Sequence, residues 1–423
     1  MLQVLSSAWA LLLGMGLLMV GNGLQGTLLG VRGEIEGFST LEMSFVMSAY
    51  FLGFLGGSRM APELIRRVGH VRVFAALASF ISAVMILYPF AAHPAFWILG
   101  RVVIGFCFSG VYVTAESWLN NAASNANRGK ALSLYMIVQM VGIVSAQGLL
   151  LAGDPAGYES FVIASVLISV SFAPILLSIS PTPAFDTTKP MSLRQIMKIS
   201  PLGCVGMFLL GGVFSAQFGM SAVYGARAGL TLTEISIFVA SFYVGALLLQ
   251  YPLGWLSDRM DRRVLILIVA GVGGCGAILG MMVGDVFLVL LMAAFVVGGL
   301  TNPLYSLLIA HTNDFLEHDD MAAASGGLVF INGLGAIAGP VITGWLMGDA
   351  VFGPPGFFLF MAGLMFALAV YALYRTTQRP TVAIEDTGTF APIHPGATSV
   401  AVEYAQEITI EAELEEQDSQ NVA

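Results

Sequence analysis

The sequence predicts an all-α integral membrane protein, with twelve transmembrane helices in two pseudo-symmetric six-helix bundles. Three observations carry that prediction. Twelve apolar runs are long enough to cross a bilayer, basic residues collect after the second, fourth, sixth, eighth and twelfth of them, and a polar segment divides the runs six and six.

Of the 423 residues 57% are hydrophobic and 10% charged, with a mean hydropathy of +0.85, so water is not the solvent for most of the chain. A helix needs about 20 residues to span about 30 Å of hydrocarbon. Helices are expected because unpaired backbone amides are costly in lipid, and the runs are too long for barrel strands.

The first run, Ser6 to Leu29, lacks a basic segment before it and exceeds a signal-peptide core, so it is expected to be retained. Met43 to Met60 follows, with Arg59, Arg66, Arg67 and Arg72 at and beyond its end. Val71 to Phe90 and Ala95 to Leu119 come next, and the latter is followed by Arg128 and Lys130. Ala131 to Ala152 and Phe161 to Ile179 complete the first half, with Lys189, Arg194 and Lys198 after them. The second half comprises Leu202 to Tyr224, Glu234 to Trp255, Val264 to Val283, Val286 to Ile309, Ala322 to Met347 and Phe357 to Tyr374. Here Arg259, Arg262 and Arg263 follow the second run, and Arg375 and Arg379 the last. Only Arg32 and Arg227 fall on the other side, and Arg101 lies inside a run, so both termini are expected to be cytoplasmic.

The polar, proline-punctuated linker Pro181 to Ser200 ends in a short helical stretch with Ser192 as its expected N-cap. It sets the expected organisation: a bundle over 1–180, a cytoplasmic linker over 181–200, a second bundle over 201–375 and a tail over 376–423. The halves echo one another at nearly constant offset. The run VRVFAAL from Val71 resembles RRVLILI from Arg262, Ala115-Glu116-Ser117 resembles Ala310-His311-Thr312, and Ala131-Leu132-Ser133 resembles Ala323-Ala324-Ser325. Their common order points to duplication. Two such bundles can rock about a site at their interface, exposing it alternately to either side. The expected function is therefore a secondary transporter of a small solute, and the many helix glycines suit close helix contacts.

The net charge of -9 is local, because nine of the 26 acids lie after Thr376 with only Arg379 beside them. Mixed with Thr, Pro and Gly, that composition predicts an acidic, disordered, solvated tail. A basic nucleic-acid footprint is absent from the sequence. Cys107, Cys204 and Cys275 lack metal-ligand spacing and are expected to be buried thiols, so no metal or cofactor is predicted.

Gly254-Trp255-Leu256-Ser257-Asp258-Arg259-Met260-Asp261-Arg262-Arg263 resembles the cytoplasmic loop motif of the major facilitator superfamily, at its place after the eighth helix. After the second helix the motif is degraded, with Arg66 where the aspartate belongs and Glu63 as a possible substitute. Arg101-Val102-Val103-Ile104-Gly105 resembles the superfamily's R-x-x-x-G motif. The fifth-helix antiporter motif lacks its proline, which argues against a drug/proton antiporter. Ala115 to Asn120, Arg128 to Ser133 and Ala310 to Asp314 resemble the bacterial YcaD-like branch, and that branch implies a bacterial inner membrane.

The resemblance implies a conformational latch in which Gly254, Asp258, Arg259 and Arg263, with Asp314, hold the outward-facing state. Its first-half counterpart is Arg67, Glu116 and Arg128. Helices 1, 4, 7 and 10 line the central cavity of the family, which makes Asn22, Gln25, Arg101, Phe214, Gln217, Tyr224, Asn302 and Tyr305 candidate substrate contacts, together with Gln139 of helix 5. Arg101 is the most informative, since a charge inside a span costs about 2.5 to 3.5 kcal/mol on insertion scales. Residues 101, 105, 108, 112 and 116 share one helical face, so Arg101 either meets an anionic substrate group or bonds neighbouring helices. Each of the other polar candidates is equally a helix-helix contact. Glu116 and His311 are candidate proton-coupling groups or structural interface residues, and facilitated diffusion stays open.

An enzyme is not expected, because no H-E-x-x-H, phosphate loop or serine-nucleophile motif stands in a suitable context. The alternatives are a membrane sensor signalling through the acidic tail, or an exporter of lipids or drugs. Partners are expected to be the bilayer and a small molecule, with the protein monomeric.

Overall fold

Local chemistry at the helix ends and small residues at the crossings build this fold. The computed structural model describes residues 2–122, 128–177, 191–378, 382, 387–408 and 410. The linker segment 181–190 with Lys189, and the tail residues 379–381, 383–386, 409 and 411–423 with Arg379, lie outside the described residues.

The first half contains α1 (Leu2–Ile35), α2 (Thr40–Val68), α3 (His70–Leu87), α4 (Pro94–Ala122), α5 (Arg128–Leu150), and α6 (Glu159–Ser171) continued by the short α7 (Ala173–Leu177). The amphipathic α8 (Leu193–Ile199) precedes the second half. There α9 (Pro201–Ser215), a π turn (Ala216–Met220) and α10 (Ser221–Arg227) make one crossing. Then come α11 (Leu232–Ser257), α12 (Arg262–Val283), α13 (Phe287–Asn313), α14 (His318–Leu346) and α15 (Gly356–Thr376).

Eleven crossings among the described residues are long and apolar enough to span a membrane on hydropathy alone. The remaining one, α2, is 29 residues long. Its Glu42, Arg59, Glu63, Arg66 and Arg67 lie toward its two ends and, with interspersed Ser and Gly, dilute its hydropathy, while its middle packs against α4 and α14.

Duplication is visible in the capping. The Ser39 hydroxyl accepts from the Glu42 amide at 3.2 Å while the Ser39 amide donates to the Glu42 carboxylate at 2.8 Å. At the matching start of α11, Thr231 and Glu234 form the same capping box. Ser192 caps α8 likewise, its amide donating to Gln195 Oε1 at 3.2 Å.

The tightest crossings are also paired. A Cβ on Gly105 would lie 1.9 Å from the Tyr50 carbonyl oxygen, and one on Gly53 would lie 2.0 Å from that of Val102, so α2 and α4 touch backbone to backbone. In the second half, α11 and α13 repeat this through Gly245 against Phe295 and Gly298 against Phe242.

The halves meet along α2 and α14, α5 and α11, and α1 and α10. On the face bearing Arg32 and Arg227 they are closed together. Gly30 packs against Ala222, Gly344 packs against Ser44, and Arg227 stands 3.5 Å from both Glu34 and Asp349. On the opposite, basic face, residues 387–408 lie between them. Phe80, Leu99, Met282 and Leu288 are among the large apolar side chains exposed on the outer surface, as lipid-facing positions require.

Two expectations need revision. Where composition predicts a solvated tail throughout, Ile393, Ala401, Val402 and Tyr404 are buried, because this stretch of the acidic tail is itself apolar and finds a groove to fill. Cys107 and Cys204 are buried, whereas Cys275 is exposed on α12.

Candidate substrate cavity

A cavity lies between the halves, and six aromatic rings stand in its walls. Tyr50, Phe51 and Phe54 of α2 and Tyr112 of α4 form one side, with Phe54 5.9 Å from Tyr112. Phe214 of α9 and Phe218 of the π turn form the other, stacked at 5.9 Å with 24° between their planes. Phe218 reaches across to Tyr50 at 5.5 Å. The π turn inserts an extra residue into the i→i+4 ladder and sets these two rings on one wall. Asn22 (α1), Gln139 (α5) and Asn332 (α14) add amide groups. Asn22 Nδ2 donates to the Tyr112 hydroxyl at 3.4 Å, while Asn22 Oδ1 is buried without a hydrogen bond. No acid, lysine or arginine is among the described lining residues. His394, Pro395, Gly396 and Ala397 occupy the mouth, leaving about 40 Å³.

Arg101 is fully buried but stands behind this wall. Its Nη1 donates to Gln25 Oε1 at 2.9 Å and its Nη2 to Met47 Sδ at 3.5 Å, while the guanidinium carbon lies 4.8 Å from the centre of the Tyr50 ring. Tyr50 therefore screens Arg101 from the cavity and stabilises its charge through the ring face. Arg101 Nε and Gln25 Nε2 have no hydrogen-bond partner among the described residues. The R-x-x-x-G spacing acquires a reason here, since Gly105 admits the Tyr50 backbone and brings the ring over the arginine one turn away.

The remaining candidates separate. Asn22, Gln139 and Phe214 line the cavity and Gln25 holds Arg101, but Gln217, Tyr224, Asn302 and Tyr305 do not line it. Tyr224 stacks on Phe357 at 4.9 Å beside Phe238 and Phe358. Gln217 and Tyr305 are buried in their own helices. Asn302 donates to the Gly298 carbonyl and edges a separate cleft of about 510 Å³ between α5 and α11. Sequence reasoning missed Tyr50, Phe51, Phe54, Phe218 and Asn332. A signal was present in Tyr50 with Phe54 and Phe214 with Phe218, aromatic pairs four residues apart.

The charged network differs in register from the expected latch. Its centre is Arg262, 3% exposed, which pairs with Asp314, lies 3.7 Å from Asp258 and donates to the Ser257 hydroxyl and the Ala310 carbonyl. Arg263 pairs with Asp261 at 3.0 Å, and Arg259 stacks on Trp255 at 4.3 Å. As the first residue of α12, Arg262 points back toward α13, a choice between adjacent arginines that periodicity does not make. Nor do Arg67, Glu116 and Arg128 assemble. Arg66 and Arg67 pair with Glu63 on the surface, Glu116 accepts from the Tyr135 hydroxyl at 3.4 Å and from Thr398, and Arg128 pairs with Glu407 at 2.9 Å. His311 is buried with its ring edge-on to Phe315.

Thus several expected latch residues are partners of the tail. The Phe390 amide donates to Asp258 at 2.9 Å, and Arg262 donates to the Gly388 carbonyl. The Ser306 hydroxyl accepts from the Ile393 amide at 2.9 Å. The His394 ring meets Phe214 edge-on at 5.4 Å. A helix over 399–408 follows, with the Tyr404 hydroxyl donating to the Arg128 carbonyl at 3.0 Å and Gln406 donating to Asn313 at 3.0 Å. Burial pushes the Glu403 carboxyl up to about 7, with Ser325 acting in the other direction.

The family model of the Major Facilitator Superfamily matches residues 11–232 and 203–404. An uncharacterized MFS-type transporter, YcaD, of Salmonella arizonae is 26% identical over 350 residues, 81% of this chain and 88% of the relative. YcaD of Escherichia coli is 25% identical over 377 residues, 88% and 96% of the two chains. Among solved structures, a mutant of the nucleoside transporter NupG superposes with a TM-score of 0.73 at 14% identity, covering 87% of this chain and 99% of that one. A bacterial homologue of the human lysosomal transporter Spinster, inward-facing and unoccupied, gives 0.66 at 15% identity, covering 96% and 98%.

Proposed function

The chain belongs to the Major Facilitator Superfamily, and on that premise we propose that it moves a small amphiphilic solute with an aromatic or planar body by alternating access of the cavity between its halves. The observation that carries the solute class is the wall chemistry: six aromatic rings and three amides, with no ionised side chain among the described lining residues. Such a wall favours an apolar body with a few hydrogen-bonding groups and offers nothing to neutralise a full charge. The positive-inside rule supports a cytoplasmic location for the basic face and for both termini, in a bacterial inner membrane. On that orientation this conformation is closed outside and faces inward. Arg262, Asp258 and Asp314 then form an ion network at the cytoplasmic ends of α11, α12 and α13, within the second half, which keeps these ends together without fastening the halves to each other.

A thermal-stability screen of the detergent-purified protein against chemically diverse compounds tests the reading, because a ligand that binds the native state raises its apparent stability. Neutral aromatic amphiphiles are expected to stabilise the protein. Phe214→Ala should raise the half-saturating concentration about tenfold, the order of 1.4 kcal/mol, whereas Arg101→Met should leave it nearly unchanged. Stabilisation by anions alone, lost in a folded Arg101→Met protein, would overturn the proposed solute class.

A further inference from the structure

We propose that residues 387–408 are an autoinhibitory plug, a segment of this chain that occupies the mouth of the transport cavity and holds the halves in the inward-facing state until it leaves. Its contacts fall on both halves. Thr398 bonds Glu116 and Glu407 pairs with Arg128 on the first half, while the Phe390 and Ile393 amides bond Asp258 and Ser306 on the second. A segment fastened to both keeps them from approaching on the basic face, which is the motion a switch to the outward-facing state needs.

The fit extends to the backbone. A Cβ on Gly254 would lie 2.6 Å from the Phe390 ring, so this motif glycine leaves room for the tail. His394 to Ala397 enter the aromatic cavity itself, against Phe214, where the proposed solute would sit. Occupancy by the tail and by solute is therefore mutually exclusive, and a bound solute or any partner that captures the free tail shifts the population toward the released state. The consequence for flux rests on the transport reading above, whereas the docking is measurable without it.

The test places a thiol behind the plug. Ala336, a cavity-lining residue of α14, is replaced by cysteine in a Cys275→Ser background. Its labelling by a charged, membrane-impermeant maleimide is then followed in inside-out vesicles. Labelling of the full chain should be slow, and Ile393→Asp, which puts a charge into the buried part of the tail, should speed it at least tenfold. A synthetic peptide spanning 387–408 should slow the variant again. Equal rates in the full chain and in Ile393→Asp, with both showing the same thermal unfolding, would overturn the proposal. Should Ile393→Asp fail to fold, Gly254→Leu serves as the second variant, since it obstructs Phe390 from the groove side. Failure of the peptide to slow folded Ile393→Asp would count against a plug, as would a labelling rate in folded Gly254→Leu no faster than in the full chain.

Discussion

Gly105→Val should leave little folded protein. The added carbon would meet the Tyr50 carbonyl oxygen, a backbone atom that cannot swing aside as the end of a side chain can. Overpacking a good interior costs roughly 1 to 3 kcal/mol, occasionally more. Here α2 and α4 must separate along a crossing that also depends on Gly53 and Gly57, so the effect belongs at or above the top of that range. Separation would lift the Tyr50 ring off Arg101 and open the cavity wall formed by Tyr50 and Phe54. The check is the yield of monodisperse protein by size-exclusion chromatography, against Gly363→Ala, a position with open space around it. Equal yields would show that the crossing is looser than the geometry states.

Arg262→Met is expected to be the most damaging change among the charged residues. The side chains of Arg262 and Asp314 are 2% and 4% exposed, and removing one partner of a buried pair typically costs about 3 to 5 kcal/mol. The methionine keeps the volume but takes away donors to Asp314, Ser257, the Ala310 carbonyl and the Gly388 carbonyl. Adding Asp314→Asn should recover part of the loss, since the two sites share one interaction. Arg259→Met should cost less than about 1 kcal/mol, because the guanidinium lies on the surface over Trp255. Thermal unfolding of these three variants beside the unsubstituted protein measures the ordering. If Arg259→Met destabilised more than Arg262→Met, the latch would centre where the motif alone places it.

These two residues show how far the sequence could be read. Apolar length, the side-to-side placement of arginines and the echo between halves suffice for twelve helices in two bundles, because burial in lipid leaves the backbone few alternatives. The same rules under-describe α2, whose charged residues lie on the surface toward its ends and whose glycines and serines serve its packing against α4 and α14. At the site, Asn22, Gln139 and Phe214 follow from helix position, but the aromatic wall does not. A ring on an apolar helix reads the same whether it faces lipid, core or cavity, as Tyr224 illustrates. Arg101 attracts attention by its cost, yet its compensation by a ring face and an amide is a matter of three-dimensional approach. The tail was least legible. Its net charge is set by the residues around the docked stretch, and composition averages away the apolar positions of 390–405 that bury it.

Alternating access of the two halves is the central claim, and interspin distances across each face test it most directly. Nitroxide labels at Lys130→Cys and Arg259→Cys report the basic face, and labels at Asp154→Cys and Asp349→Cys the opposite one, each pair in the Cys275→Ser background in lipid nanodiscs. The full chain should give one dominant distance at each face, matching the structure, in which the face of Arg32 and Arg227 is closed and the tail lies between the halves on the basic face. In the Ile393→Asp protein each pair should show two populations that change in opposite senses, the basic face closing in the fraction of molecules in which the other face opens. A single unchanged distance at both faces, in the full chain and in Ile393→Asp alike, would contradict the account.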